Sequence, residues 1–404
     1  MSETQGTPPG NDDVVVPANR AHLTAICSVA VLTYAMYFGA FGVMLPHIGD
    51  TFGLGAEAQG RLFPANFAGF GVGVLLSGFL SDRIGRKSVM LIASVFFTAG
   101  LILFGSSHQF EQALAASALI GAGSGSLETV ASALLSDLYP EKRALALNAL
   151  QIVFGVGAAS SPYFLHLALE RGLAWQTFFF GFGGVMALQT LWLAFVKYGK
   201  TLVTHGEGLD ANALKRVVRE PAFIALCLMQ LFYVGAETGF FTWMPTYFEK
   251  ILIGGKPFAG LVVSVFWVTI TLGRLLTGLL IGKIPLMRLT LVFGVGGAIG
   301  GLLAISTLQP VLVLLAVGFT GFCFSGIFGL VLAEAGDRFP KSAGTVFGAI
   351  VASCGVGGAL SPWAIGSLSE TSVHWRGALA LVPVCSLIVA ALSFAVSRIR
   401  VKAV

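Results

Sequence analysis

The chain contains twelve apolar runs of about 20 residues or more, separated by short polar stretches. A run of that length is long enough to cross the hydrocarbon core of a bilayer as an α-helix. Helices satisfy their own backbone hydrogen bonds in lipid, whereas barrel strands show only short alternating segments. The runs lie near 21–49, 58–81, 88–107, 112–136, 144–169, 174–197, 221–248, 258–282, 288–307, 310–335, 344–368 and 376–397. Of the 404 residues 56% are hydrophobic and 11% charged. A water-facing surface needs about 25% charge. The expectation is an all-α, polytopic membrane protein whose surroundings are a lipid bilayer. A soluble enzyme, a disordered chain and a disulfide-rich secreted domain are excluded. The polar first 19 residues lead into a run too long for a signal-peptide core, so no cleaved leader is expected.

The cations test this map. Eighteen of the 24 Lys and Arg residues fall at the two termini and in the even-to-odd connections, and five on the opposite side; Arg274 lies within a run. Positive residues collect on the cytoplasmic side, so both termini are expected there. The same rule explains the net charge of +5 and removes nucleic acid as a partner. The five cysteines lack CxxC spacing and the six histidines form no HExxH pair. No metal, cofactor or disulfide framework is expected. An integral-membrane enzyme would need a catalytic constellation, and neither GxSxG nor a paired-aspartate motif occurs.

The two halves repeat. Adding 200 to a position returns the same residue at Cys27/Cys227, Gly73/Gly273, Gly78/Gly278, Asp137/Asp337, Pro140/Pro340, Gly157/Gly357, Pro162/Pro362 and Trp175/Trp375. An offset of 199 pairs Tyr34, Phe41 and Pro46 with Tyr233, Phe240 and Pro245. Parallel six-helix halves are the signature of a transporter in which one half rocks against the other around a central site. The expected units are a cytoplasmic tail (1–20), a first half (21–197), a cytoplasmic linker (198–220), a second half (221–397) and a short tail (398–404).

The strongest local motif joins spans 2 and 3: Gly78-Phe-Leu80-Ser-Asp82-Arg83-Ile-Gly85-Arg86-Lys87. Gly78 would allow close helix contact, Gly85 the reversal, and the charges a clamp on neighbouring helices. This turn resembles the GxLxDRxGRK pattern of the major facilitator superfamily at every defined position. The resemblance extends over the twelve spans, the repeat and the linker, and implies the fold of that family. It also implies an inner gate in which Arg86 pairs with Asp137 and Asp82 contacts span 11, with Arg83, Glu334 and Asp337 in the same charged layer. The second copy, Gly278-Leu-Leu-Ile-Gly282-Lys283, has lost the acid.

Ionisable residues inside the membrane are costly and mark a pathway. Glu128 in span 4, Glu237 in span 7, Arg274 in span 8 and Glu334 in span 10 are the deep candidates, and Glu334, within a turn of Asp337 and Arg338, is assigned to the gate rather than the pathway. Arg274 has two roles open to it, pairing with a carboxylate or receiving a substrate anion. Span 7 combines Gln230, Tyr233, Glu237, Thr242 and Trp243, the mixture of amide, carboxylate, hydroxyl and flat aromatic face that binds sugars. Its glycines and Pro245 predict a bent or broken helix lining a cavity. Tyr247 suits an interfacial aromatic belt.

The Tyr-Val-Gly-Ala-Glu-Thr stretch of span 7, the Gly-Ser-Leu-Glu of span 4 and Leu147-Asn148-Ala-Leu-Gln151 of span 5 look like the fucose–galactose–glucose type of sugar:proton symporter. That resemblance implies a substrate site drawing on Tyr34, Asn148 and Gln151 as well. Fucose permeases carry an aspartate four residues before the proline of span 1, where this chain has Gly42, leaving Glu128 as the proton-linked carboxylate. The expected function is proton-coupled uptake of a small polar solute, a sugar, by a monomer in the bacterial inner membrane. The coupling ion is a proton, with sodium as the alternative. Proton-driven efflux of amphipathic compounds and organic-acid transport are the rival readings. Drug:proton antiporters carry Gly-Pro in span 5, where this chain has Ser161-Pro162.

Overall fold

The computed structural model describes residues 19–139, 142–196, 217, 219–339 and 343–399. Most of the expected linker and both tails lie outside them. Among the described residues twelve helical spans are long and apolar enough to cross a membrane. In the first half they are span 1 (Arg20–Phe52), span 2 (Ala56–Ser81), span 3 (Arg86–Gly105), span 4 (Phe110–Leu138), span 5 (Leu145–Glu170) and span 6 (Trp175–Phe195). The second half holds span 7 (Pro221–Lys250), span 8 (Lys256–Leu280), span 9 (Leu286–Ser306), span 10 (Pro310–Arg338), span 11 (Val346–Ser369) and span 12 (His374–Arg398). The face where span 1 begins and span 12 ends is called the terminal face below, and its opposite the far face.

Outward-facing Phe195, Leu188, Leu279 and Leu75 are 65–84% exposed. Water would make such a belt an aggregation liability, and lipid makes it a solvent-matched surface. Turns use glycine where the chain must reverse with positive φ. Gly85 between spans 2 and 3 and Gly282 between spans 8 and 9 both sit at φ 84°, so the reversal survives in both copies of the motif. Gly78 differs from expectation, because a Cβ there would meet nothing within 4 Å. The close contact is made one turn and a half earlier, where Gly73 lies against the backbone of Ala122 in span 4. Small residues replace large ones along that seam so that the two helix backbones can touch.

The internal repeat is physical. Gly157 of span 5 would place a Cβ 2.8 Å from the carbonyl oxygen of Leu32 in span 1. Gly357 of span 11 abuts the carbonyl of Leu231 in span 7, 199 positions after Leu32. The halves meet through span 1 against span 7, span 2 against span 11, and span 5 against span 8.

Two expectations for span 7 are corrected. It is not broken but one continuous helix with Pro245 inside it, and Gly235 and Gly239 lie in close approach to Ser361 of span 11. Span 10 is built from two helices, Pro310–Phe324 and Ile327–Arg338, with Ser325 and Gly326 between them, and spans 2 and 12 are interrupted near their far-face ends, at Arg61 and Ala380. Tyr247 is fully buried and belongs to the protein interior, not to an interfacial belt.

Candidate substrate and coupling site

In the first half, the Tyr34 hydroxyl donates to Oε2 of Glu128, and the Gln151 amide donates to Oε1 at 3.3 Å. Three helices meet at one carboxylate. Glu128 lies about 15 Å along its helix from the end at Leu138, deep in a 30 Å hydrocarbon core. Gln151 is exposed and Glu128 half-buried. Between described residues Glu128 forms no ion pair. The Asn148 side chain lies outside the described ones.

The second half answers with a related device. Tyr233 is buried and its hydroxyl donates to Oε1 of Glu237 at 2.6 Å. Here the carboxylate has a cation within electrostatic reach, Arg274 of span 8, though no ion pair of 4.0 Å or less forms between described residues. Arg274 faces the first wall: Gly155 of span 5 meets Thr271 of span 8, and Gln151 and Arg274 stand one turn further toward the terminal face on those two helices. Gln230 donates to the Phe328 carbonyl at 3.0 Å, beside the break in span 10, and its Oε1 is buried without a hydrogen-bond partner. A buried acceptor left unpaired costs about 1–3 kcal/mol, so this amide is poised for a donor.

Toward the far face the halves close on each other. A Cβ at Gly42 would lie 2.7 Å from the Thr242 carbonyl oxygen, and one at Gly60 2.9 Å from Trp363 Cα. The Glu57 N–H donates to Glu370 at 3.0 Å, tying span 2 to the end of span 11. Just below lies an aromatic seam from both halves. Phe38 packs on Phe241 at 5.1 Å, and Phe154 and Phe241 pack on Trp267 at 5.6 and 5.5 Å. Nothing in the sequence marks these four, since apolar rings at a seam and rings facing lipid read alike.

Two sugar candidates sit elsewhere than in the cavity wall. Trp243 is fully buried, its indole N–H donates to the Pro362 carbonyl at 2.7 Å, and its ring meets Trp375 at 5.2 Å. Its face is occupied by the contact between spans 7 and 11. Thr242 is fully buried in the far-face closure with its hydroxyl unpaired.

The terminal face carries the charged layer. Arg86 grips Asp137 with two contacts, Nε to Oδ2 at 2.5 Å and Nη2 to Oδ1 at 3.1 Å. Lys87 donates to the last carbonyls of span 6, Ala194 and Val196. Arg338 holds Glu334 at 2.6 Å and donates to Val396 and Ile399, which end span 12. A cation therefore caps the final helix of each half, matching the partial negative charge there. Arg83 lies over the Phe79 ring at 4.1 Å, and Asp337 is exposed. The Asp82 side chain lies outside the described ones. Between described residues no hydrogen bond or ion pair joins the halves at this face.

The chain as a whole is similar to known proteins. The glucose/mannose transporter GlcP of Bacillus subtilis is 24% identical over 344 residues, 82% of this chain and 84% of that one. The multidrug resistance protein MdtL of Klebsiella pneumoniae is 30% identical over 174 residues, 42% of this chain and 44% of that one. In fold, the chain is similar to the inward-open xylose transporter XylE of E. coli, with a TM-score of 0.75, 15% identity and coverage of 94% and 96%. The model of the Major Facilitator Superfamily matches residues 27–362. Twelve membrane helices in two repeated halves, a charged turn after the second helix and this match make the chain a transporter of the Major Facilitator Superfamily.

Proposed function

We propose that the chain takes up a small polar solute, a sugar, in symport with protons by alternating access. The observation that carries this reading is the pair of carboxylate sites, Tyr34–Glu128–Gln151 and Tyr233–Glu237–Arg274, one in each half, below the contacts that close the far face. Among the described residues Glu128 forms no ion pair, so a proton is the means of neutralising its charge when the site closes around it. Glu237 has Arg274 within electrostatic reach, and Gln230 stands two turns away on the same helix, a set that donates to and accepts from sugar hydroxyls. The relatives' names support the substrate class, GlcP as a glucose/mannose transporter and the E. coli galactose-proton symporter, 26% identical over 39% of this chain. The monomer works in a bacterial inner membrane with the terminal face toward the cytoplasm, as the cation bias requires.

A second reading, export of an amphipathic compound, draws on the aromatic seam and the match to MdtL. Counterflow in proteoliposomes separates the two. Exchange of labelled hexose, with accumulation against a gradient when the bath is acidified, supports symport. Exchange of a lipophilic cation and none of any sugar supports export. A sodium gradient that replaces the pH gradient would change the coupling ion.

A further inference from the structure

At the far face, His166 of span 5 stands between two carboxylates. Its Nε2 is 3.6 Å from Glu170 on the same helix, and its Nδ1 is 3.9 Å from Glu249 on span 7. The residue is 2% exposed and neither ring nitrogen has a hydrogen-bond partner. His166–Glu249 is the one ion pair between the halves among the described residues. Gly260, at the start of span 8, abuts the His166 Cβ, and a Cβ there would lie 2.7 Å from the Pro162 carbonyl. The imidazole is thus pinned where the halves meet.

Span 7 brings further polar groups to the far face. Thr242, Thr246 and Glu249 fall on one face of span 7, by the i, i+4, i+7 spacing of a helix. Both threonines are buried with their hydroxyls unpaired. The closed face therefore holds groups that water would satisfy on opening, and few attractions to oppose it. The charged groups around the ring are Glu170 on its own helix, His47 and Asp50 of span 1, Glu249 and Lys250 of span 7, and Lys256 at the head of span 8.

We propose that His166 and Glu249 form a proton-sensitive latch that holds the far face shut. With a proton, the imidazolium attracts carboxylates on both sides of the interface. Without it, Glu249 confronts Glu170 and Asp50, with Lys250 and Lys256 alone in compensation, and closure loses an attraction across the halves. Histidine is the side chain whose ordinary range lets pH 5–8 make that change. Acid at the far face then favours closure, and removal of the proton favours opening. The latch rests on the alternating-access reading, not on the identity of the solute or on Glu128.

The test is a far-face distance. Spin labels at Arg171 and Ile253, both exposed beyond spans 5 and 7, are measured by double electron–electron resonance in lipid nanodiscs from pH 5 to pH 8. The open, longer-distance population should rise about threefold over that range, the effect of a modest ion pair. His166→Gln and Glu249→Gln should each flatten the response, the second serving if the first does not fold. Glu128→Gln should keep it, even where that variant has lost proton-driven accumulation. A response unchanged in both latch variants, absent from the unaltered protein, or removed by Glu128→Gln overturns the proposal. Retention of coupled transport by Glu128→Gln with the distance response intact would instead count against the proposed function alone.

Discussion

Tyr34 and Tyr233 occupy equivalent positions in the two halves, and the hydroxyl of each donates to a glutamate, Glu128 and Glu237. The acceptors are not repeat-related. Glu128 comes from span 4, and Glu237 lies one turn beyond its own tyrosine. The repeat thus supplies the donor twice, and each half has found its own acid. A hydrogen bond to a charged group is worth about 1.5–3 kcal/mol, or roughly 10- to 100-fold in an equilibrium constant.

Tyr34→Phe should lower pH-driven accumulation by about that factor while sparing exchange at equal pH, and Tyr233→Phe should weaken substrate binding by a similar factor. Titration of counterflow against sugar concentration, with and without a pH gradient, checks both. Equal effects of the two substitutions on affinity would mean that the tyrosines are not divided between proton and substrate.

Glu128→Gln should abolish accumulation driven by a pH gradient and preserve exchange, since the amide keeps the volume and loses the titrating group. Glu237→Gln should raise the concentration for half-maximal exchange. The sign follows from the neighbours. Among the described residues the donors to Glu128 are the neutral Tyr34 and Gln151, whereas Glu237 has Arg274 in reach. Concentrative uptake by Glu128→Gln under an imposed pH gradient would refute the assignment.

The two-point contact of Arg86 with Asp137 is about four-fifths buried on each side. Losing one partner strands the other, at a cost of about 1–3 kcal/mol. Asp137→Asn should lower the thermal midpoint and slow transport, and the exchanged pair Arg86→Asp with Asp137→Arg should recover part of the stability. No recovery in the exchanged pair would show that the surrounding layer, not the pair, sets the requirement.

Gly42→Ala would drive a methyl into the Thr242 carbonyl, a backbone atom that cannot yield cheaply. Closure of the far face should be hindered, and the far-face distance between labels at Arg171 and Ile253 should lengthen. The same crowding accounts for the absence of an aspartate at this position. A variant with the unaltered distance distribution and rate would mean that spans 1 and 7 part easily here.

Cysteines placed at Lys142 and Arg398 should react with an impermeant thiol reagent only from the cytoplasm, and those at Lys256 and Arg171 only from outside. Labelling of Lys142 from outside would reverse the orientation proposed from the cation bias.

The number of spans, the two-fold repeat and the glycine reversal at Gly85 were legible in the sequence, and the pairing of Arg86 with Asp137 was implied by the resemblance of the charged turn. The bilayer enforces the first, because every spanning segment must be an apolar helix of one length. The others rest on rare residues at fixed spacing in an otherwise apolar chain. Which side of each helix meets which neighbour was decided by tertiary structure alone. Spans such as 6 are apolar on nearly all sides, so no periodicity says where they face. Trp243 and Trp267 read alike in sequence, yet one is spent on Pro362 and the other joins the aromatic seam. Glycines in span 7 suggested a break, whereas that helix is continuous and span 10 is built from two. Tyr34 and Glu128 are 94 positions apart, and His166 meets Glu249 from the other half. Sequence sets which polar groups the membrane must hide, and the packing of helices decides who hides them.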